Sequence, residues 1–128
     1  MRRIIIVFLG VALLIVVACS DDYYDYHAYS YIDTVLAADT ISNDELVRIV
    51  YWYPSGCNQF ERIESSERGD TLELAALFHF YFKGEPCAHG SGYDTTSHFF
   101  HVSAPGPWYL KYRRGEETWI AQFVHVRE

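Results

Sequence analysis

Asp94, His98 and His101 lie close together in the chain, with His89 just before them. Imidazole and carboxylate are the donors that zinc sites use, so this set has the composition of a metal site. Its spacing argues against shared ligation. His98 and His101 are three residues apart, and on a strand such residues point to opposite faces. No HExxH or CxxC spacing is present. His79 and His125 read as outer-face strand positions. Gly90-Ser91-Gly92 lacks the G-x-S-x-G elbow of a serine nucleophile, and Glu116 and Glu117 fall in a predicted turn, where paired acids are solvated. No glycine-rich phosphate loop follows a predicted strand. The expectation is a protein that is not an enzyme and carries no metal or cofactor. A metal-binding or enzymatic protein using the histidine-rich loop is the distant alternative.

Binding chemistry is better represented. The chain has 11 tyrosines, 8 phenylalanines and 3 tryptophans in 128 residues. Strand alternation sets Tyr51 and Tyr53 opposite Trp52, and Tyr109 opposite Trp108. Tyr51, Tyr53 and Tyr109 are therefore candidate outward contacts for a protein or glycan. The competing reading is aromatic cross-strand pairing within the sheets. The net charge of −7 repels phosphate backbones, so nucleic acid is not an expected partner. Lys111, Arg113 and Arg114 form the one dense basic spot and read as the solvated end of a hairpin. Arg68-Gly69-Asp70 matches a three-residue integrin-binding motif, but it stands where a tight turn needs glycine.

The N-terminus speaks to location. Arg2 and Arg3 precede an apolar run over residues 4–17, and polar, acidic sequence begins at Ser20. A charged start, a short apolar core and a small final residue make an export signal. Residues 4–18 are too few for a spanning helix, which needs about 20. Val16-Val17-Ala18-Cys19 resembles a bacterial lipobox. That resemblance implies a signal peptide over residues 1–18, cleavage before Cys19, and a diacylglycerol on its thiol. Two or three acyl chains, at roughly 0.8 kcal/mol per buried methylene, anchor a protein stably. Ser20 behind the cysteine implies, by the same resemblance, delivery to the outer membrane, with a periplasmic or surface-facing domain. Asp21 and Asp22 are similar to the short acidic export tags of some surface lipoproteins. Lipidation of Cys19 also explains the odd cysteine count, leaving Cys57 and Cys87 as one pair in an oxidising compartment.

Residues 19–33 read as the lipidated cysteine and a tyrosine- and aspartate-rich tether, whose residues 20–33 reach at most roughly 50 Å. Residues 34–128 read as one β domain. Strands are expected near residues 34–37, 45–53, 58–66, 71–82, 97–103, 108–113 and 118–126, with a loop over 83–96. Residues 71–82 carry the strongest signal: Leu72, Leu74, Ala76, Phe78, Phe80 and Phe82 share one face. Phe60 and Ile63, three apart, suggest a bulge. About seven short strands with turns between them fit an all-β, immunoglobulin-like antiparallel sandwich, and a small lipocalin- or OB-type barrel is the runner-up. Residues 104–112, Ala-Pro-Gly-Pro-Trp-Tyr-Leu-Lys-Tyr, resemble the penultimate strand of bacterial immunoglobulin-like domains. Ser55-Gly56-Cys57, a Gly-Asp turn, a long strand and then Cys87 look like small bacterial lipoproteins of that fold. A Cys57–Cys87 bond would close a loop of about thirty residues, for roughly 3–4 kcal/mol. The expected function is a lipid-anchored envelope module that binds a protein partner or an envelope glycan. A structural accessory lipoprotein without ligand is the alternative.

Overall fold

The computed structural model describes residues 23–55, 57–83 and 90–128. The leader, Cys19, Cys87 and His89 lie outside the described residues. The described chain is all β, with no helix, and runs through nine strands: β1 (Tyr23–Ser30), β2 (Ile32–Leu36), β3 (Thr40–Ser42), β4 (Leu46–Tyr53), β5 (Asn58–Arg68), β6 (Thr71–Lys83), β7 (Gly92–Phe99), β8 (Gly106–Arg113) and β9 (Trp119–Arg127). Six strands form one sheet, and β2, β4 and β7 form a second in the order β2–β4–β7. The two-sheet arrangement is compatible with a β-sandwich.

β6 is the axis of the larger sheet. Its alternation puts Leu72, Leu74, Ala76 and Phe78 into the core, nearly or wholly out of contact with water. On one edge β5 pairs antiparallel with it from Thr71 to Phe80. The other edge is divided. β8 runs parallel along Thr71–Glu73, and β1 runs antiparallel along Ala76–Lys83. β8 then carries β9, and β9 carries the short β3 in parallel. Trp108, Leu110 and Tyr112 of β8, Val124 and Val126 of β9, and Ile41 of β3 continue the buried face. The smaller sheet answers with Ile32, Val35, Val47, Ile49 and Tyr51. Tyr51 bridges the layers, stacked on Phe60 at 4.3 Å and edge-on to Phe78 at 5.6 Å between ring centres. Among the described residues no polar or charged side chain is buried.

Four expectations are corrected. The stretch read as a tether is strand from Tyr23 onward. Along β1, Tyr26 and Ala28 pair with Phe80 and Phe78 on one face, while Asp25, His27 and Tyr29 take the other, and the strand finds its ladder on the free half of β6. The chain then crosses sheets at Tyr31, where the Trp52 amide donates to the Tyr31 carbonyl at 2.9 Å. The strand expected at 97–103 instead occupies Gly92–Phe99, so the loop expected over 83–96 ends earlier. Beyond Phe99 the backbone turns to other partners: the Phe100 amide donates to the Glu45 carbonyl at 2.9 Å. Asn43 clamps Val102, donating to its carbonyl at 3.1 Å and accepting from its amide at 3.0 Å. Among the described residues the strands number nine rather than about seven. The pairing is not antiparallel throughout, because β3–β9 and β6–β8 are parallel.

Other expectations hold in detail. The register of β5 shifts between Phe60 and Arg62, which keeps both Phe60 and Ile63 on the core side. Gly69 has a φ of 63° at the first of the two residues that turn β5 into β6, the place a type II′ turn gives to glycine. Arg68-Gly69-Asp70 is thus that turn, and the Asp70 carbonyl accepts from the Tyr109 amide at 2.9 Å, starting the parallel β6–β8 pairing.

The Asn43 clamp gives a stability test. Truncation leaves one amide and one carbonyl of Val102, a residue buried in the core, without their side-chain partner. Asn43→Ala should cost about 1–3 kcal/mol in chemical denaturation. A midpoint shift below a few tenths of that would show that the clamp does not hold the segment.

Candidate functional site

The divided edge of β6 creates the site. Pairing with β8 ends at Glu73 and pairing with β1 begins at Ala76, so Leu74 and Ala75 have no registered strand partner on that side. A cleft of about 340 Å³ lies there, lined by both residues. β5 contributes Glu64, Ser66 and Arg68, β1 contributes Tyr29, and the β8–β9 hairpin contributes Arg113 and Trp119. Glu64 is opposite Ala75 and Ser66 is opposite Glu73 in the ladder, so these side chains share the outward face of the sheet.

Two aromatic rings stand at the cleft. Tyr29 is 61% exposed and Trp119 is 46% exposed. Each is fixed by a polar partner. The Tyr29 hydroxyl donates to Glu64 Oε2 at 2.6 Å, and Arg62 Nη2 donates to Glu64 Oε1 at 2.7 Å. The Tyr29 hydroxyl first, and Arg62 next, hold the Glu64 carboxyl below its ordinary range. In return, the bond to Glu64 pushes the Tyr29 hydroxyl up. Trp119 pairs in register with Arg113. Its ring has the Lys111 ammonium 4.6 Å from its centre and the Arg113 guanidinium at 5.6 Å. The basic spot expected to be a solvated hairpin end is therefore split: Lys111 and Arg113 lie over an aromatic ring, and Arg114 Nε donates to the Asp33 carbonyl at 2.8 Å.

The residues singled out by sequence are scattered. Tyr51 is 6% exposed and belongs to the core, because it shares its face of β4 with Val47 and Ile49. Burial, and next the Asp94 carboxylate, push its hydroxyl up. Tyr53 is half-buried and lies across Gly92, where a methyl group would meet its hydroxyl at 2.5 Å. Tyr109 does face outward, at 44% exposure, in an edge-on pair with Phe123. Asp94 is the ladder partner of Tyr51 and does not converge with His98 and His101. His98 is half-buried beside Val47, and that burial pushes its imidazole down, while exposed His101 lies 3.4 Å from Asp44. His125 is exposed on β9. Cys57 sits one residue before β5.

The sequence does not single out Tyr29 or Trp119. The signal for Trp119 is its period of two with Ala121 and Phe123 on the outward face of β9. The signal for Tyr29 is the same period through Asp25 and His27, which only a strand would give meaning. Comparison with family models, curated proteins and solved structures returns no match.

The Tyr29–Glu64 bond has a pH signature. A carboxyl held low in the folded state contributes stability above its unfolded value, and that contribution is lost as pH falls through the folded value. Tyr29→Phe removes the leading cause. Carboxyl-detected NMR titration should show the Glu64 midpoint move upward toward the ordinary range. An unmoved midpoint would mean that the bond is not formed in solution.

Proposed function

We propose that this protein is a lipid-anchored cell-envelope binding module whose cleft takes an envelope glycan. The observation that carries the reading is the pairing of two exposed rings, Tyr29 and Trp119, with Glu64, Glu73, Arg68 and Arg113 around one cleft. Sugar rings present apolar C–H faces that lie on aromatic planes, and hydroxyls that bond to carboxylates and guanidinium groups. Glu64 suits binding rather than acid catalysis, since two donors favour its ionised form and a general acid needs the opposite. A protein partner is the second reading, and the exposed Tyr109–Phe123 pair on the same sheet favours it.

The anchor belongs to the same proposal: a signal peptide over 1–18, lipid on Cys19, and residence at the outer membrane. Its support is the resemblance of Val16-Val17-Ala18-Cys19 to a lipobox. The first described strand starts at Tyr23, so the spacer from Cys19 is short and would hold the domain close to the bilayer. The Cys57–Cys87 pair is proposed on topology. β5 starts one residue after Cys57, and its first residue, Asn58, is opposite Phe80 near the end of β6, from which the chain runs on toward Cys87. An immunoglobulin-like form of the sandwich completes the reading.

One experiment with two variants tests it. Expressed in a Gram-negative host, the full chain should fractionate with membranes and retain soluble glycan strands released from the envelope. Cys19→Ser should release the protein from membranes with glycan binding intact. Trp119→Ala should stay at the membrane and bind glycan about tenfold or more weakly. Equal glycan retention by Trp119→Ala and the parent chain would remove the cleft from the proposal. Membrane retention of Cys19→Ser would remove the lipid.

A further inference from the structure

Next to the cleft, on the same outward face, three strands bring imidazole and carboxylate groups together. His27 on β1 and His79 on β6 are direct ladder partners, so their side chains leave the sheet side by side. Their rings stack with centres 4.6 Å apart and planes 11° from parallel. Glu61 comes from β5, on the far side of β6. It is the extra residue of the β5 bulge, unmatched between Phe60–Phe78 and Arg62–Leu77. Its carboxylate reaches across β6, with Oε1 2.9 Å from His27 Nε2. One ligand atom from each of His27, Glu61 and His79 falls within 4.8 Å of the other two. A second carboxylate borders the group: Asp25 Oδ1 is 2.6 Å from His79 Nε2.

We propose that His27, His79 and Glu61, with Asp25 as the fourth donor, form a zinc-binding site on the outer face of the larger sheet. Two imidazole nitrogens and two carboxylate oxygens make a donor set of borderline softness. It suits Zn²⁺ and excludes the all-oxygen preference of Mg²⁺ and Ca²⁺. In a zinc tetrahedron with bonds of 2.0–2.1 Å, neighbouring ligand atoms lie about 3.3 Å apart. The His27–Glu61 and Asp25–His79 pairs are already closer than that, at 2.9 and 2.6 Å, so ligation asks the two pairs to draw together. Each imidazole now bonds one carboxylate through the Nε2 atom that would meet the metal. The other charged group facing the site is Arg62, whose Nη1 lies 3.9 Å from Glu61 Oε2 and whose Nη2 is committed to Glu64. Tyr81 flanks the cluster with its ring 5.4 Å from that of His79. The site depends on cross-strand convergence, which is what His98 and His101 lack. Its side chains are not those that line the cleft, so glycan binding can fail while zinc binding stands.

Cobalt(II) is the probe, because its visible bands report tetrahedral ligation and zinc displaces it. The full chain, stripped with a chelator and dialysed, should take up one Co²⁺ with d–d absorption of tetrahedral intensity, abolished by one equivalent of Zn²⁺. His27→Gln and His79→Gln should each lose the bands, and Glu61→Gln should weaken uptake about tenfold or more. His125→Gln, on the distant β9, should bind as the parent chain does. All four positions lie on the sheet surface, and far-UV circular dichroism checks that each variant keeps its strands. Zinc should also raise the melting temperature of the parent chain and leave that of His27→Gln unmoved. Three results would overturn the site: no stoichiometric Co²⁺ uptake, bands that persist in both histidine variants, or thiolate-to-cobalt charge transfer showing that a cysteine holds the ion.

Discussion

The architecture depends on one strand being shared three ways. β6 is thirteen residues long, and β5 alone is insufficient to pair both its edges. Its free edge is taken in two halves, by β8 running parallel and by β1 running antiparallel. The two partners run in opposite directions and cannot merge into one continuous neighbour, so an interval is left at Leu74 and Ala75. That interval places the cleft. The same division puts β1 beside β6 and thereby sets His27 against His79. The outward chemistry of the sheet is thus a consequence of how the hub strand satisfies its backbone.

The inward side follows a simpler rule. β4, β6, β8 and β9 contribute alternate residues to an apolar layer, and Tyr51, Phe60, Phe78 and Phe80 form a chain of ring contacts through it. Alternation then fixes what faces outward. Leu77 is informative here: it lies on the outward side of β6, in register with Tyr29 and Arg62, and is still buried. The outer face is therefore a packed surface of aromatic and charged side chains, and its polar groups are held in defined places. The bulge in β5 serves both sides. It keeps Phe60 and Ile63 on the core side while adding Glu61 to the outer one.

Much of the inner layer was legible in the sequence. The period of two through residues 71–82 marks β6, Val47 and Ile49 mark β4, and the three-residue spacing of Phe60 and Ile63 marks the bulge. The hairpin of residues 108–126 is visible from its flanking turn. The outer site was not legible, for three physical reasons. β1 has tyrosine, aspartate and serine where a buried strand has branched aliphatics, because β1 covers the core with only part of one face. Tyr51 has the composition of a surface aromatic, yet it shares a face with Val47 and Ile49, and that face meets the other sheet. Cross-strand neighbours such as His27 and His79, or Glu64 and Ala75, depend on register, which is a property of pairing and not of any single segment.

Both the cleft and the metal cluster require β1 to be a strand docked on β6 in the full chain, and amide hydrogen exchange tests that most directly. In the docked arrangement the ladder amides of Tyr26–Ser30 exchange slowly, with protection comparable to that of β4. Exchange of those amides at the rate of an unstructured chain, with β4 and β6 still protected, would mean that the tyrosine-rich segment is a tether and that Tyr29 and His27 are not held at the outer face.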